Sequence, residues 1–380
     1  MQSGKNPILD PVGIKSVLDI LLFIGAAQGL LLSAALFSIK RGNTTANRVL
    51  AFLLGLFSIL IFFHAAGHYH AEPSTAGKHR WLIHAFLFIV APILFFYTKA
   101  LTEYGFRFQW KNILHLVPSF CAVVAAFLLE HFFHGVDPSF PIDKIILSMM
   151  AVQMTAYMVG MLFVLRNHTK NIQETFSSLE RINLRWLRVF VISQAIIWPV
   201  AGFIDLHKRD SSEGGFIWLL VSIFMYITGY YGLRQPEIFT GELQEEKQQD
   251  QSGRKKYERS ALTTEQADLI LQRLHAIMQS SRPYLVPTLS LPELSKQINV
   301  SPHHLSQIIN ERLHVNFFEY INNYRVEEAK RLLKDPKNGR LTLAAIGFDA
   351  GFNSVSSFNS VFKKITSHTP SEYRSSAGAL

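Results

Sequence analysis

Two short stretches carry side chains whose types and spacing could do chemistry. The first is HAAGH, residues 64–68, inside a long apolar run. His64 and His68 are four apart and share one helical face, the spacing at which two imidazoles can hold a metal ion. The second is SPHHLSQIINER, residues 301–312. Leu305, Ile308, Ile309 and Leu313 repeat at helical spacing and would face inward, which leaves His303, Ser306, Gln307 and Asn310 together on the outer face. Gln and Asn carboxamides can bond bidentately to adenine, and Ser can reach several base edges. For an isolated helix, an ordinary solvated face would look the same, so the surrounding elements decide.

Those elements differ sharply between the two ends of the chain. Residues 1–234 are rich in Phe, Leu, Ile and Ala, while 235–380 have an ordinary soluble composition. Of the net charge of +9, nineteen basic and twelve acidic residues lie before residue 235, so most of the excess sits between apolar segments. That is the pattern of a membrane protein with basic loops, and the high isoelectric point alone does not argue for nucleic acid. Cys121 is the only cysteine, which excludes an internal disulfide framework and a Cys-rich zinc site. The opening MQSGKNPILDPVGIK has no clear cleavage site, so the first apolar run is expected to span rather than to be removed.

Seven apolar segments, near 17–38, 49–69, 81–101, 113–133, 145–165, 186–206 and 215–233, each approach the ~20 residues that a bilayer requires. The bland alternative is a large soluble helical core. Lys40, Arg41, Arg48, Lys99, Arg107 and Lys111 are among the cations that favour one set of loops, which puts the N-terminus outside and the C-terminus in the cytoplasm. On this topology, His64, His68, His70, His79, His84, His131, His134 and His207 fall at or near the outer face. They suit a metal or pH sensor, or simply an interface that tolerates histidine. GAAQG, 25–29, has the spacing that lets membrane helices pack closely, and an internal contact is its ordinary use. GELQEEKQQDQSGRKKYERS, 241–260, reads as a flexible linker. An amphipathic helix follows, with Thr263 and Gln266 as a capping box and Leu271, Leu274 and Met278 as its apolar repeat.

The 301–312 helix is then framed on both sides. Ser290 can cap a preceding helix, with Pro292 and Glu293 in its first turn, and NVS forms the turn before Ser301 caps the next. This is a helix-turn-helix pattern, and it occurs twice. In LTLAAIGFDAGFNSVSSFNSVFKKI, Thr342 can cap the first helix and Gly351 allows the turn. Val355, Phe358, Phe362 and Ile365 form an inward stripe, with Ser356, Asn359, Ser360 and Lys363 outward. The helix FFEYINNYRVEEAKRLLK, 317–334, joins the pair, so two reading helices could enter successive major-groove turns about 34 Å apart.

On the NYRVEEAKRLL helix, the GFNSVSSFNSVFKK segment and the closing TPSEYR, residues 284–374 resemble the DNA-binding domain of AraC/XylS-type bacterial transcriptional regulators. The resemblance implies seven helices in two helix-turn-helix units. It makes His303, Ser306, Gln307 and Asn310 base readers of the first unit, and Ser356, Asn359 and Ser360 those of the second. Arg325, Lys363, Lys364 and Arg374 become phosphate contacts. Departures are Gly347 in place of Ala, expected to loosen its helix, Ser360 in place of Arg, and Ser367 in place of Gly.

The expected architecture is therefore all-α: a seven-transmembrane-helix bundle (1–236), a cytoplasmic linker with a short amphipathic helix (237–283), and a double helix-turn-helix domain (284–380). The expected protein is a regulator in the bacterial inner membrane that couples an outer or intramembrane signal to transcription. Its partners would be double-stranded DNA, membrane lipid, an unidentified signal ligand, a second copy of itself and RNA polymerase. No cofactor is expected, and no GxSxG, P-loop or HExxH points to an enzyme. The rival is a membrane transporter or enzyme whose helix-turn-helix domain docks a protein partner.

Overall fold

The computed structural model describes residues 11–40, 42–70, 80–103, 105–132, 142–180, 182–207, 215–234 and 262–377. The 241–260 segment expected to be a linker lies outside them. The chain divides into two compact units, Met1–Leu165 with Leu184–Ile238, and Arg166–Asn183 with Phe239–Leu380. The described residues are helical throughout, apart from turns and one isolated bridge.

The first unit contains α1 (Pro11–Ser38), α2 (Thr44–His70), α3 (Arg80–Thr102), α4 (Val117–Phe132), α6 (Arg185–His207) and α7 (Gly215–Arg234), together with α5 (Ile142–Gln173) as far as Leu165. Six of the seven expected apolar segments fall within one helix each. The fourth enters through a 3-10 stretch, Trp110–Leu116, ahead of α4. Val17–Ser38, Thr44–Ala66 and Ser148–Gln173 are long and apolar enough to cross a membrane, and Phe88–Thr102 is a shorter apolar stretch.

Packing of this unit rests on small residues and on polar groups that stay within their own helices. α1 lies along α2 and α7. A Cβ on Gly25 would stand 2.7 Å from Ser222 Oγ of α7, and one on Gly29 would overlap Ser58 of α2 and Met225 of α7. The GAAQG pair is thus an internal contact, as its spacing suggested. Ser58, Thr98 and Thr228 donate their hydroxyls to the carbonyls four residues earlier, which satisfies them without a partner from outside the helix. Leu31, Phe63, Val152 and Phe163 point outward and are largely exposed.

The second unit adds seven helices after residue 262: α8 (Thr264–Ser280), α9 (Leu291–Gln297), α10 (Pro302–Arg312), α11 (Phe317–Lys334), α12 (Leu343–Asp349), α13 (Val355–Thr366) and α14 (Pro370–Ala377). Nearly every start has a side-chain cap. Thr263 and Ser290 form capping boxes with Gln266 and Glu293, and Ser301, Asn316, Thr342 and Ser354 each accept from the backbone three residues on. Short helices such as α9 and α12 depend on this, because isolated helices of that length are unstable in water.

Two cores organise the unit. Ala267, Ile270, Leu274 and Met278 of α8 pack with Leu289, Leu294, Leu305, Ile308 and Ile309. The amphipathic helix placed in the linker is therefore a member of the first helix-turn-helix core. Val326, Ala329, Ile346, Phe352, Phe358 and Phe362 build the second core. α11 serves both, with Phe317, Tyr320 and Ile321 in one and Val326, Ala329 and Leu333 in the other. In α13 the inward stripe differs from expectation. Phe358, Val361 and Phe362 are buried, whereas Val355 and Ile365 are more than one-third exposed. A 12-residue helix has its apolar face centred on its middle turns, so its two end residues rotate off the core.

Candidate nucleic-acid interface

α10 is held against its core by Leu305, Ile308 and Ile309, all nearly inaccessible, so its opposite face must point outward. His303 and Asn310 are exposed, and Ser306 and Gln307 are partly so. The four side chains expected to share a face do share it. They also bond along it. Asn310 Nδ2 donates to Ser306 Oγ at 3.3 Å, and Gln307 Nε2 donates to Glu311 at 3.1 and 3.3 Å. Glu311 was not singled out in the sequence. Its signal was the i, i+4 spacing from Gln307, and an acidic oxygen here can accept from cytosine N4. His304 beside His303 has its pKa lowered by burial and then by the neighbouring imidazole, so it favours the neutral form.

α13 presents Ser356, Asn359, Ser360, Lys363 and Lys364, all exposed. Gly351, at φ +91°, makes the turn that sets α13 against α12, and a Cβ there would strike the Tyr284 carbonyl. Lys364 Nζ pairs with Glu319 of α11 at 3.0 Å, an exposed bridge of little energetic weight that a phosphate could displace.

Two of the four expected phosphate contacts sit elsewhere. Arg325 is 1 % exposed. Its Nε donates to the Tyr284 carbonyl at 2.8 Å and its Nη2 to the Val286 carbonyl at 2.8 Å. Nη1 and Nη2 reach Ser177 O and Oγ at 3.0 and 2.9 Å. Burial pushes its pKa down to about 10, so it remains a cation at neutral pH. With its donors spent inside the domain, it does not reach a backbone phosphate. Arg374 is half-buried and gives Nη1 to the Leu341 carbonyl at 2.9 Å. The sequence offered basic residues on helices but not their direction. Arg325 is three residues from Asn322 and four from Ala329, both buried, which places it on the inner face.

In the first unit, the His64 ring lies 5.1 Å from Trp218. The side chain of His68, its expected co-ligand, lies outside the described residues. No group of three or more metal-binding side chains occurs among the described residues.

Comparison with known proteins bears on the C-terminal helices. A family described as "Helix-turn-helix domain" matches residues 294–376. Two uncharacterised HTH-type transcriptional regulators of Staphylococcus aureus, strains COL and MSSA476, are each 38% identical over 92 residues, 24% of this chain and 12% of the relative. The arabinose operon regulatory protein of Escherichia coli K12 is 28% identical over 122 residues, 28% of this chain and 41% of the relative. The chain thus spans about an eighth of the length of the staphylococcal relatives and two-fifths of the Escherichia coli one. No solved structure matches. Each of these relatives is, by its name, a regulator and not an enzyme. The second unit therefore carries a helix-turn-helix domain homologous to that of AraC-type transcriptional regulators.

Proposed function

We propose that the chain is a membrane-embedded, sequence-specific DNA-binding transcriptional regulator that couples an outer or intramembrane signal to transcription. The observation that carries this is the pairing of two capped helix-turn-helix units, each with one polar helix face turned outward. His303, Ser306, Gln307 and Asn310 would read bases from α10, and Ser356, Asn359 and Ser360 from α13. Lys363 and Lys364 would contact phosphate, which sets affinity without sequence information.

The membrane reading is supported by three long apolar helices and by large apolar side chains on outward faces, which would be costly in water. On this reading all seven helices span, the N-terminus is outside, and the helix-turn-helix domain is in the cytoplasm. The signal has a candidate seat inside the first unit, a cavity of about 50 Å³ lined by Phe57, Met154, Met158, Phe190, Gln194 and Thr228. Of its two polar side chains, Thr228 bonds the Phe224 carbonyl of its own helix, and Gln194 is buried in apolar surroundings that favour a bound polar atom. A second copy of the chain and RNA polymerase would be its protein partners.

The test is to reconstitute the full chain in lipid nanodiscs and select from a random duplex library at two salt concentrations. Recurring sequence elements, with affinity falling steeply as salt rises, are the expected result. No enriched sequence at either salt would overturn the reading in favour of a protein-docking domain.

A further inference from the structure

The second unit includes a piece of chain from far upstream. α5 is 32 residues long, about 48 Å, against the ~30 Å of a bilayer core, and its last turns from Arg166 onward belong to the second unit with the connection to Asn183. His168 Nε2 lies 2.9 Å from the Ile182 carbonyl and ties the two ends of this piece together.

The piece is anchored at one end. Leu291 N–H donates to the Thr175 carbonyl at 2.8 Å and Ser177 N–H to the Leu289 carbonyl at 3.2 Å, a bridge beside the Ser290 cap of α9. Ser177, 1 % exposed, also receives Arg325 and Asn322, whose Nδ2 lies 3.2 Å from its carbonyl. The buried arginine is therefore explained: it clamps this segment to α11.

Beyond the anchor, the segment reaches the second reading helix. Asn353 Nδ2 approaches Ser178 Oγ at 3.5 Å, and Ser354 Oγ donates to the Glu180 carboxylate. Ser354 is the N-cap of α13. A helix N-terminus favours an anion, because its first amides are unpaired and the dipole is positive there. A recognition helix enters the groove by its N-terminal residues, where DNA supplies phosphate.

We infer that residues 174–180 form an autoinhibitory strap in which the Glu180 carboxylate occupies the phosphate position at the start of α13 and keeps the second reading helix off DNA. This rests on the DNA-reading function proposed above. The strap is continuous with α5 and α6, so a signal that shifts those helices would withdraw Glu180 while the Ser177–Arg325 anchor holds. With α13 covered in this way, the resting protein would read DNA through α10.

The test runs the nanodisc selection in parallel with wild type and Glu180→Gln. Wild type is expected to enrich one sequence element. Glu180→Gln is expected to enrich two elements about one helical turn apart, and to bind that duplex about fivefold more tightly than wild type, the scale of one helix-terminus charge contact. On a duplex with the second element scrambled the two proteins should bind alike. Identical sites and affinities would overturn the strap and leave DNA reading intact, whereas no enrichment by either protein would overturn both. A locked form checks the geometry. In a Cys121→Ser background, Glu180→Cys with Ser354→Cys should lose the second element when oxidised and regain it on reduction. Equal binding in the two redox states would overturn the proposal.

Discussion

Phe358 of α13 packs against the bare Cα of Gly347 in α12. A Cβ there would stand 2.8 Å from Phe358 Cδ1 and 2.9 Å from Cγ. Both residues are buried, Phe358 completely. Gly347 was expected to loosen its helix, and by propensity alone Gly costs about 1 kcal/mol relative to Ala. The contact reverses the sign. Gly347→Ala should destabilise the second helix-turn-helix unit by about 1–3 kcal/mol through overpacking. Hydrogen exchange of the full chain checks this: amides of 343–366 should exchange faster in the variant, with those of 302–312 unchanged.

Arg325 and the exposed lysines should separate by salt dependence. Arg325→Ala strands buried carbonyls and removes the clamp on Ser177, at about 3 kcal/mol. It should lower DNA binding by loosening the domain, with faster exchange around 284–291. In the Glu180→Gln background, where α13 is free to bind, Lys363→Ala should leave exchange unchanged, weaken all sequences alike, and reduce the slope of log affinity against log salt by about 1. Arg325→Lys should not rescue, because an ammonium cannot reach four acceptors in the same plane.

Sequence preference should follow α10. Ser306→Ala and Gln307→Ala are expected to relax selectivity at one or two base positions by about 1–3 kcal/mol each, with little change in affinity for unrelated DNA. Selection from a random library measures this directly. An unchanged consensus in both variants would remove these residues from the reading face.

Acid should weaken the join between α11 and the turn that precedes α9. Glu328 bonds Arg331 at 2.6 Å and lies 3.8 Å from Arg282, and the Arg331 guanidinium, first of all, holds its carboxyl below the ordinary value near 4.5. A carboxyl whose folded pKa is lowered stabilises the fold above its unfolded value, and the effect is lost as pH falls through the folded one. Heat-pulsed full chain, scored by retained DNA binding, should therefore show wild type more resistant than Glu328→Gln at pH 7. The gap should narrow as the pH falls below the ordinary value near 4.5 and close below the lowered folded one.

What the sequence determined by itself was whatever local chemistry dictates. Helix starts were written in Thr263, Ser290, Ser301 and Thr342, because a cap needs only a side-chain oxygen three residues before an unpaired amide. The outward face of α10 followed from the period of its leucine and isoleucines. Ser367 stood out where glycine is usual, and its φ of +64° at the end of α13 gives the reason. Tertiary structure alone decided what depends on partners distant in sequence. Arg325 and Lys363 are both basic residues on helices, yet one is buried against Ser177, 148 residues away, and the other is in solvent. Gly347 gained its value from Phe358, and Glu180 its position from Ser354, 174 residues on. Periodicity fixes which residues share a face. It carries no information about which other segment of the chain that face will meet.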